Sequence, residues 1–354
     1  MRQILRSVGR VLPSRARRSL KALAFRAAVR RPMLAGLYYT YNGAFGREHR
    51  SVLYGKLMSL GGEDAHAHDQ AFYALRRNIH RLEKGLIMRP RRNVFAKTYI
   101  GETVAAYVRQ ASNGNCDAAT YGWASDVLHS YFEAVPTGAD DVVDQAREAF
   151  ASCQEQGSLP RGRRYPYHRD TSPLPVDLEG LMQLAHRRRS VRWYLPEPVP
   201  REIIDNAIRV ALYSPSACNR QPFEFRVYDD PKLVQKIGAL PAGSAGFNHN
   251  FPAIVVLVGL LRAFPADRDR HVIYVDGGLA AMAFQFGLEV QGVSSCCINW
   301  PNIEDREQRM EQALSLAPDE RPIMLISLGY PDPDGLVPYS QKKPLDAIRS
   351  YNRT

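Results

Sequence analysis

Residues 187–192 read Arg-Arg-Arg-Ser-Val-Arg and stand between a predicted helix and an extended, proline-rich segment at 193–196. Apolar residues at helical spacing predict that helix over 176–187. Guanidinium groups form bidentate, charge-assisted hydrogen bonds with a phosphate, and the serine hydroxyl adds a further donor. The segment therefore suits a phosphate-binding turn, although basic runs of this kind also occur as solvated surface.

A second polar segment, Tyr-Ser-Pro-Ser-Ala-Cys-Asn-Arg-Gln-Pro at 213–222, joins a predicted helix over 200–212 to a predicted strand over 222–228. Loops between such elements often carry function. Ser216, Asn219 and Gln221 offer the small polar groups that recognise the carbonyls and ring nitrogens of a heterocycle. A helix-terminal turn with satisfied backbone groups explains the same composition.

Two further segments follow in the chain. Residues 292–300, Gly-Val-Ser-Ser-Cys-Cys-Ile-Asn-Trp, predict a strand over 293–298 that leaves a long apolar helix over 276–291. The neighbouring cysteines 296 and 297 point to opposite faces of such a strand, so we expect no disulfide between them. Residues 328–331, Leu-Gly-Tyr-Pro, precede a basic pair at 342–343 that is able to reach a phosphate. A plain core strand and solvated lysines are the simpler interpretations.

The remaining elements of this half predict its fold class. Short apolar runs at 252–259 and 322–329 are typical of buried strands, and they alternate unevenly with helices, including one at 303–314. This order favours an α+β arrangement over a doubly wound sheet. No Gly-x-Gly-x-x-Gly, P-loop, Gly-x-Ser-x-Gly or His-Glu-x-x-His motif is present, and the histidines are scattered. We therefore expect no metal site.

In this order, the four segments resemble the nitroreductase superfamily of FMN enzymes. The matching patterns are Arg-Arg-Ser-x-Arg, Ser-Pro-Ser-x-x-Asn-x-Gln-Pro, the glycine-led strand after the long helix, and Gly-Tyr-Pro followed by a basic residue before Pro-Leu. The resemblance covers roughly residues 177–350. It implies an α+β fold with a nitroreductase-like central mixed or antiparallel sheet flanked by helices, and a homodimer with FMN at each subunit interface.

The resemblance also implies the residues of the cofactor site. Arg188, Ser190 and Arg192 match positions that hold the phosphate, ribityl chain and pyrimidine edge, and the 215–221 loop matches one that reaches the partner subunit's flavin. The implied FMN-binding residues are Arg188, Arg189, Ser190, Arg192, Pro215, Ser216, Asn219, Gln221, Cys297, Ile298, Asn299, Lys342 and Lys343. Because the flavin supplies the redox chemistry, no catalytic side chain is assigned.

The N-terminal half has a different character. The 354-residue chain carries a net charge of +11, yet residues 1–47 hold 11 basic and no acidic side chains, so the remainder is formally neutral. The excess positive charge is therefore confined to an N-terminal arm, and it does not indicate a general nucleic-acid-binding surface. Two basic, amphipathic helices, over 1–12 and 14–31, suit an anionic membrane surface, an arm docked on its own protein or on a partner, or an organellar targeting peptide.

We divide the chain into a basic amphipathic arm (1–47), a helical region (48–155), a linker rich in proline, glycine and arginine (156–175) and an FMN-binding domain (176–354). Within the helical region, helices are predicted over 71–86 and 139–150, with Leu75, Ile79 and Leu82 on the buried face of the first and Val142 on that of the second. A charged run over 76–84 could bind an anion, but a solvated face is the commoner explanation.

The sequence thus predicts an FMN-dependent oxidoreductase that passes hydride from NADH or NADPH through flavin N5 to a small-molecule organic acceptor. Five cysteines without Cys-x-x-Cys spacing fit a reducing, cytoplasmic compartment, with peripheral attachment to the inner face of a membrane through the arm. Two alternatives stay open. One is an enzyme of this fold that modifies a flavin or a specialised metabolite. The other is a non-catalytic protein that docks to a membrane or polyanion.

Overall fold

The computed structural model describes residues 14–60, 67–113, 117–156 and 162–353. The predicted helix over 1–12 lies outside these ranges. The described chain divides into two compact units, one ending at Leu53 and the other beginning at Tyr54. This boundary does not coincide with the predicted borders at 47, 155 and 175, which stay predictions.

The first unit contains α1 (Ser14–Val29), α2 (Pro32–Asn42) and the start of α3 (Gly46–Leu60). Helix α2 ends at Gly43, whose φ of 67° closes the helix in the left-handed conformation that glycine adopts without steric cost. Its aromatic side chains form an edge-to-face series, since Tyr38 packs against both Phe25 and Tyr39. No helix of the described residues is long and apolar enough to cross a bilayer.

The second unit begins with a helical layer of α4 (Ala67–Leu86), α5 (Ile100–Asn113), α6 (Ala118–Ala134) and α7 (Asp141–Gln156). Leu75, Ile79 and Leu82 are fully buried in its core, as predicted. The prediction for Val142 was wrong, because this side chain is 47% exposed while the next residue along the helix faces the core.

The sheet follows in sequence. Its strands are β1 (Phe223–Tyr228), β2 (Ala253–Leu260), β3 (Ser294–Asn299) and β4 (Glu320–Gly329). The order is β1-β2-β4-β3, and all neighbouring strands are antiparallel. The two most apolar runs of the sequence thus form the central strands, which confirms the predicted α+β class with an antiparallel sheet.

The helices of this part are α8 (Leu178–Arg187), α9 (Arg201–Ala211), α10 (Pro231–Gly238), α11 (Val272–Glu289) and α12 (Glu304–Leu314). One core joins α9 and α11 to the sheet through residues such as Phe284 and Val255. A second core joins α10 and α12 to the sheet through residues such as Ile237 and Met310. The sheet therefore has an apolar core on each face, which leaves its ends and loops to form sites.

The described part of the predicted linker is fixed to the helical layer where it begins. The Asp126 carboxylate accepts hydrogen bonds from the Gly162 amide at 2.9 Å, the Arg164 amide at 3.0 Å and Arg164 Nε at 2.9 Å. The Arg164 guanidinium lies over Gly122, where an added Cβ would come within 2.3 Å of it. Helix α6 thus binds the start of the described segment that leads to the sheet.

Candidate cofactor site

A cavity of about 390 Å³ lies where α8 ends and the C-terminal segment returns. Its described lining residues are Met182, Ala185, His186, Arg188, Arg189, Ser190, Arg192, Pro338, Tyr339, Ser340, Gln341 and Lys342. Five of the thirteen predicted FMN-binding residues therefore share one cavity, and four of these five are cationic. Such a lining is suited to an anionic group such as a phosphate.

The sheet edge holds the arginine segment in place. Helix α8 gives way to an extended chain at Arg188, and the Val191 amide then donates to the Ser295 carbonyl on β3 at 3.1 Å. Ser190 and Ser295 form a parallel bridge at the same point. Because β3 is an edge strand, it has free backbone groups to bind this segment, which aims successive side chains into the cavity.

Arg188 is only partly satisfied by the described protein atoms. Its Nη1 donates to Gln285 Oε1 at 3.5 Å, the limit of a hydrogen bond. Its Nε is buried and has no acceptor among the described residues. A buried donor without an acceptor costs about 1–3 kcal/mol. The donor is therefore available to a phosphate or carbonyl oxygen, so the residues fit an anionic cofactor.

The other two arginines have different surroundings. Arg192 donates to the Ser190 carbonyl at 3.1 Å and lies over the Phe247 ring at 5.6 Å. Arg189 donates to the Pro338 carbonyl at 2.5 Å and also to that of Tyr339. Arg189 thus binds the C-terminal segment that closes the cavity, and this bond holds Lys342 nearby.

The predicted residues on β3 lie on both faces of the strand. Cys297 and Asn299 are exposed, whereas Ile298 is 3% exposed and faces the core. Cys296 is buried and Cys297 exposed, and both thiols are free, which confirms that these neighbours point apart. Burial raises the pKa of the Cys296 thiol above its usual value, so this cysteine stays protonated and unreactive near neutral pH. Lys343 is exposed and is absent from the described lining of the cavity.

The polar loop at 215–221 adopts an unusual conformation. Three residues without glycine's freedom have positive φ: Cys218 at 54°, Asn219 at 52° and Gln221 at 51°. The Gln221 amide donates to Ser216 Oγ at 3.1 Å, and its side chain donates to Asn219 Oδ1 at 3.3 Å. Left-handed residues are uncommon outside glycine, and three of them within four positions persist only where surrounding contacts hold them. Pro215 precedes these residues and is exposed.

Helix α11 separates the loop from the cavity within one chain. Asp276 near its first turn accepts from the Ala217 amide at 3.0 Å, while Gln285 near its last turns contacts Arg188. Nine residues of helix correspond to about 13 Å along the axis. The two predicted halves of the site thus bind opposite parts of one helix. Asp276 and Gln285 were missed by sequence reasoning because both lie in a helix read as uniformly apolar.

The part of the chain that contains the sheet is similar to known proteins. The sequence model of the nitroreductase family matches residues 185–248 and 242–330. Iodotyrosine deiodinase 1 of Homo sapiens is 26% identical over 194 residues, which cover 47% of this chain and 66% of that protein. A putative NADH dehydrogenase/NAD(P)H nitroreductase of Archaeoglobus fulgidus is 26% identical over 158 residues, covering 44% and 87%. Among solved structures, an FMN-dependent nitroreductase from Clostridium difficile R20291 gives a TM-score of 0.42 at 22% identity, covering 49% of this chain and 99% of that chain.

The nitroreductase family model matches the part of the chain that holds the predicted motifs, and the relatives support membership of the nitroreductase superfamily. The superfamily consists of FMN-dependent oxidoreductases with NAD(P)H donors, and its members are typically homodimers. The match begins at residue 185 and includes the arginine segment, the polar loop and all four strands. The helical layer precedes it.

Proposed function

We propose that this protein is an FMN-dependent oxidoreductase whose cofactor phosphate binds in the cavity beside Arg188. The observation that carries the proposal is Arg188, which lines a cavity with three other cations and whose buried Nε has no acceptor among the described residues. Arg188, Ser190 and Arg192 would hold the phosphate, ribityl chain and pyrimidine edge. Lys342 would add charge at the phosphate, with Lys343 beside it in sequence.

FMN bound here would supply hydride chemistry between an NADH or NADPH donor and an organic acceptor. The protein's own residues bind and orient it. The Arg192 guanidinium would stabilise negative charge on the reduced ring, which would make reduction more favourable. The β3 end at Cys297, Ile298 and Asn299 lies beside the arginine segment and would face the reactive edge through backbone groups. No side chain of the protein needs to act as an acid or base in this scheme.

The purified full-length protein tests this proposal. We expect a flavin absorption spectrum, release of FMN on denaturation, and bleaching by NADH or NADPH under anaerobic conditions. A colourless protein that does not take up added FMN would overturn the proposal. A protein that binds FMN but is not reduced by either donor would favour the non-catalytic alternative.

The acceptor is best sought among small aromatic molecules. Curated relatives that match this chain include iodotyrosine deiodinases of several animals, and others are named as nitroreductases. A panel should therefore contain a nitroaromatic compound, a halotyrosine, a quinone and free FMN. Oxidation of the pre-reduced protein by one of them, faster than by dissolved oxygen, would identify the acceptor class. Consumption of the free flavin itself would favour the flavin-modifying alternative.

We further propose a homodimer in which the 215–221 loop completes the partner's site. Helix α8 has no buried residue and exposes Leu178 and Met182, while α11 exposes Val275 and Leu279. Contiguous apolar surface of this kind is normally covered by another molecule. The loop also lies far from the cavity in its own chain, on the other side of α11.

Mixing two inactive variants tests the shared site. One variant carries Arg188→Met and Arg192→Met, and the other carries Asn219→Ala and Gln221→Ala. If each site combines segments from two chains, heterodimers regain one intact site, and FMN binding returns after subunit exchange. Light scattering on the unmutated protein should give twice the chain mass. A dimer without recovery on mixing would show that both segments serve the same chain's site.

We also propose that the basic arm holds the enzyme at an anionic membrane surface. Residues 1–47 contain no acid, and within the described part Arg26, Arg30 and Arg31 are exposed. Exposed apolar side chains accompany them: Leu23, Phe25, Val29, Met33, Leu37 and Tyr41. Cationic and apolar groups together, with aromatic rings, are suited to the interface of an anionic bilayer.

Vesicle flotation tests this docking. Full-length protein should float with vesicles containing phosphatidylglycerol and stay unbound with pure phosphatidylcholine. The variant Arg26→Glu/Arg30→Glu/Arg31→Glu should lose this binding. Its control, Arg268→Glu/Arg309→Glu/Arg349→Glu, has the same net charge and changes only exposed arginines elsewhere. Equal flotation of both variants would exclude the arm as the docking element.

A further inference from the structure

A buried arginine of the helical layer contacts the backbone of the polar loop. Arg76 on α4 is 8% exposed, and its Nε donates to the Asn219 carbonyl at 3.0 Å. The two residues are separated by 143 positions in sequence. A solvated face was the expected explanation for the charged run over 76–84, yet Arg76 within it is buried. Burying a charge costs free energy unless good hydrogen bonds offset the cost.

The helical layer holds the Arg76 guanidinium in one orientation. Its Nη1 donates to Thr120 Oγ1 at 2.8 Å, and Thr120 is itself fixed near the start of α6, where its amide donates to the Asp117 cap at 2.7 Å. The guanidinium also lies over the Phe72 ring at 5.5 Å and the Trp123 ring at 5.3 Å. A planar cation between aromatic rings has little freedom to rotate, so Nε points consistently at the loop.

The bonded carbonyl belongs to the most constrained part of the loop. Asn219 has positive φ, between Cys218 and Gln221, which also lie outside the common backbone regions. Asp276 on α11 holds the loop from another side through the Ala217 amide. The loop is thus held between α11 and the helical layer. Such contacts stabilise a backbone that would otherwise relax to ordinary dihedral angles.

We propose that Arg76 is a positioning residue for the cofactor: it fixes the 216–221 backbone so that the side chains of Asn219 and Gln221 are presented to FMN. The inference rests on the proposed function, because it assumes that this loop contacts the flavin. It gives the helical layer, which precedes the family match, a direct part in cofactor binding. Loss of this charge-assisted bond should weaken FMN binding by roughly tenfold to a hundredfold.

The test compares two neighbouring arginines of α4. Arg76→Met removes the bond to the loop and keeps an apolar stem among the aromatic rings. Arg77→Met is the matched control, since the hydrogen bonds of Arg77 go to Asn78 and Glu102 within the helical layer. We expect Arg76→Met to raise the FMN dissociation constant by the stated factor and to alter the visible circular dichroism of bound flavin. Arg77→Met should leave both unchanged.

A purely structural role for Arg76 predicts a different result. In that case Arg76→Met would lower the melting temperature while FMN affinity and the flavin dichroism stayed as in the unmutated protein, and this outcome would overturn the proposal. If Arg76→Met does not fold, Thr120→Val provides the test. It frees the guanidinium but keeps its charge, and it should weaken FMN binding in the same direction by a smaller factor.

Amide hydrogen exchange separates this inference from the proposed function. Measured without FMN, exchange at residues 217–221 should accelerate in Arg76→Met and stay unchanged in Arg77→Met. If the unmutated protein binds no FMN, the proposed function fails, yet accelerated exchange would still show that Arg76 positions the loop. Unchanged exchange in Arg76→Met would overturn the positioning role, whatever the cofactor.

Discussion

Two arginines of this molecule, Arg164 and Arg188, differ in how the chain satisfies them. Arg164 binds the carboxylate of Asp126, which is 1% exposed and accepts three hydrogen bonds from Gly162 and Arg164. Arg188 is offered one amide oxygen at 3.5 Å, and its buried Nε has no acceptor among the described residues. The first arginine closes a structural junction, whereas the second keeps an unpaired donor, as the proposed cofactor site requires. Both residues carry the same charge, and they differ in whether the folded chain provides hydrogen-bond acceptors for it.

The largest effect should come from emptying the cavity of its arginines. Arg188→Met/Arg192→Met is expected to weaken FMN binding about 10³-fold, because each charge-assisted bond is worth roughly 1.5–3 kcal/mol. Without FMN, its free energy of unfolding should change by less than about 1 kcal/mol, since removal of the unsatisfied Arg188 donor offsets loss of the Arg192 bond to the Ser190 carbonyl. Fluorescence titration with FMN and urea unfolding measure the two quantities. Arg309→Met, an exposed arginine of α12, is the control. Retained FMN occupancy in the double variant would contradict the assignment of these residues.

Breaking the junction between Asp126 and Arg164 should lower stability and leave FMN affinity almost unchanged. Asp126→Ala is expected to lower the free energy of unfolding by about 3 kcal/mol, because it leaves the donors of Gly162 and Arg164 unpaired. FMN affinity should change little in the folded fraction. Urea unfolding monitored by circular dichroism measures the loss, and the exposed Asp141→Ala serves as control. A loss as small as that of Asp141→Ala would show that the junction is not structural.

The dependence of the unfolding free energy on pH provides a second test of the Asp126 carboxylate. Burial alone would raise the pKa of Asp126, but hydrogen bonds from Arg164 and the amides of Gly162 and Arg164 outweigh it and hold the pKa below the ordinary 3.8. A lowered folded-state pKa contributes stability above pH 3.8, and this contribution is lost as pH falls through the folded-state value. Asp126→Asn should therefore lose stability at neutral pH and show a shallower decline below pH 4. Unfolding curves between pH 2 and 7 would reveal equal slopes if the carboxylate did not contribute.

The smallest effect is expected from Gly122→Ala beneath Arg164. The added methyl group would meet the guanidinium, but that group ends a flexible side chain and is able to move aside. Alanine also favours a helix over glycine by about 1 kcal/mol, which offsets the displacement. We expect a change in unfolding free energy within about 1 kcal/mol. A loss as large as that of Asp126→Ala would show that Arg164 has no other position available.

Much of the fold could be predicted because its signals are local. The two apolar runs at 252–259 and 322–329 became the central strands, shifted by only one or two residues. Helix α11 begins four residues earlier than predicted, at Val272. Gly277 lies inside this helix, as predicted, and an added Cβ there would come within 2.5 Å of Ile323. Close packing of helix on sheet explains this glycine, and periodicity alone does not reveal it.

The candidate site was predictable in composition and less so in geometry. The arginine segment and Lys342 were identified from their order along the chain, and they line one cavity. Arg76 was assigned to a solvated face, because nothing near it in sequence marks its contact with Asn219. The ion pair between Asp126 and Arg164 could not be predicted either, since one residue lies in a helix and the other in a proline-rich segment.

The sequence by itself determined the family, the α+β class and the chemical types of the candidate cofactor residues. These depend on residue identity and short-range spacing, which the hydrophobic effect and hydrogen bonding convert into local structure. Only the tertiary structure decided which charges are satisfied internally and which are left for a ligand. That distinction depends on burial and on partners more than a hundred residues away, as between Arg76 and Asn219. The cost of burying an unpaired charge arises only when the folded chain excludes water from it.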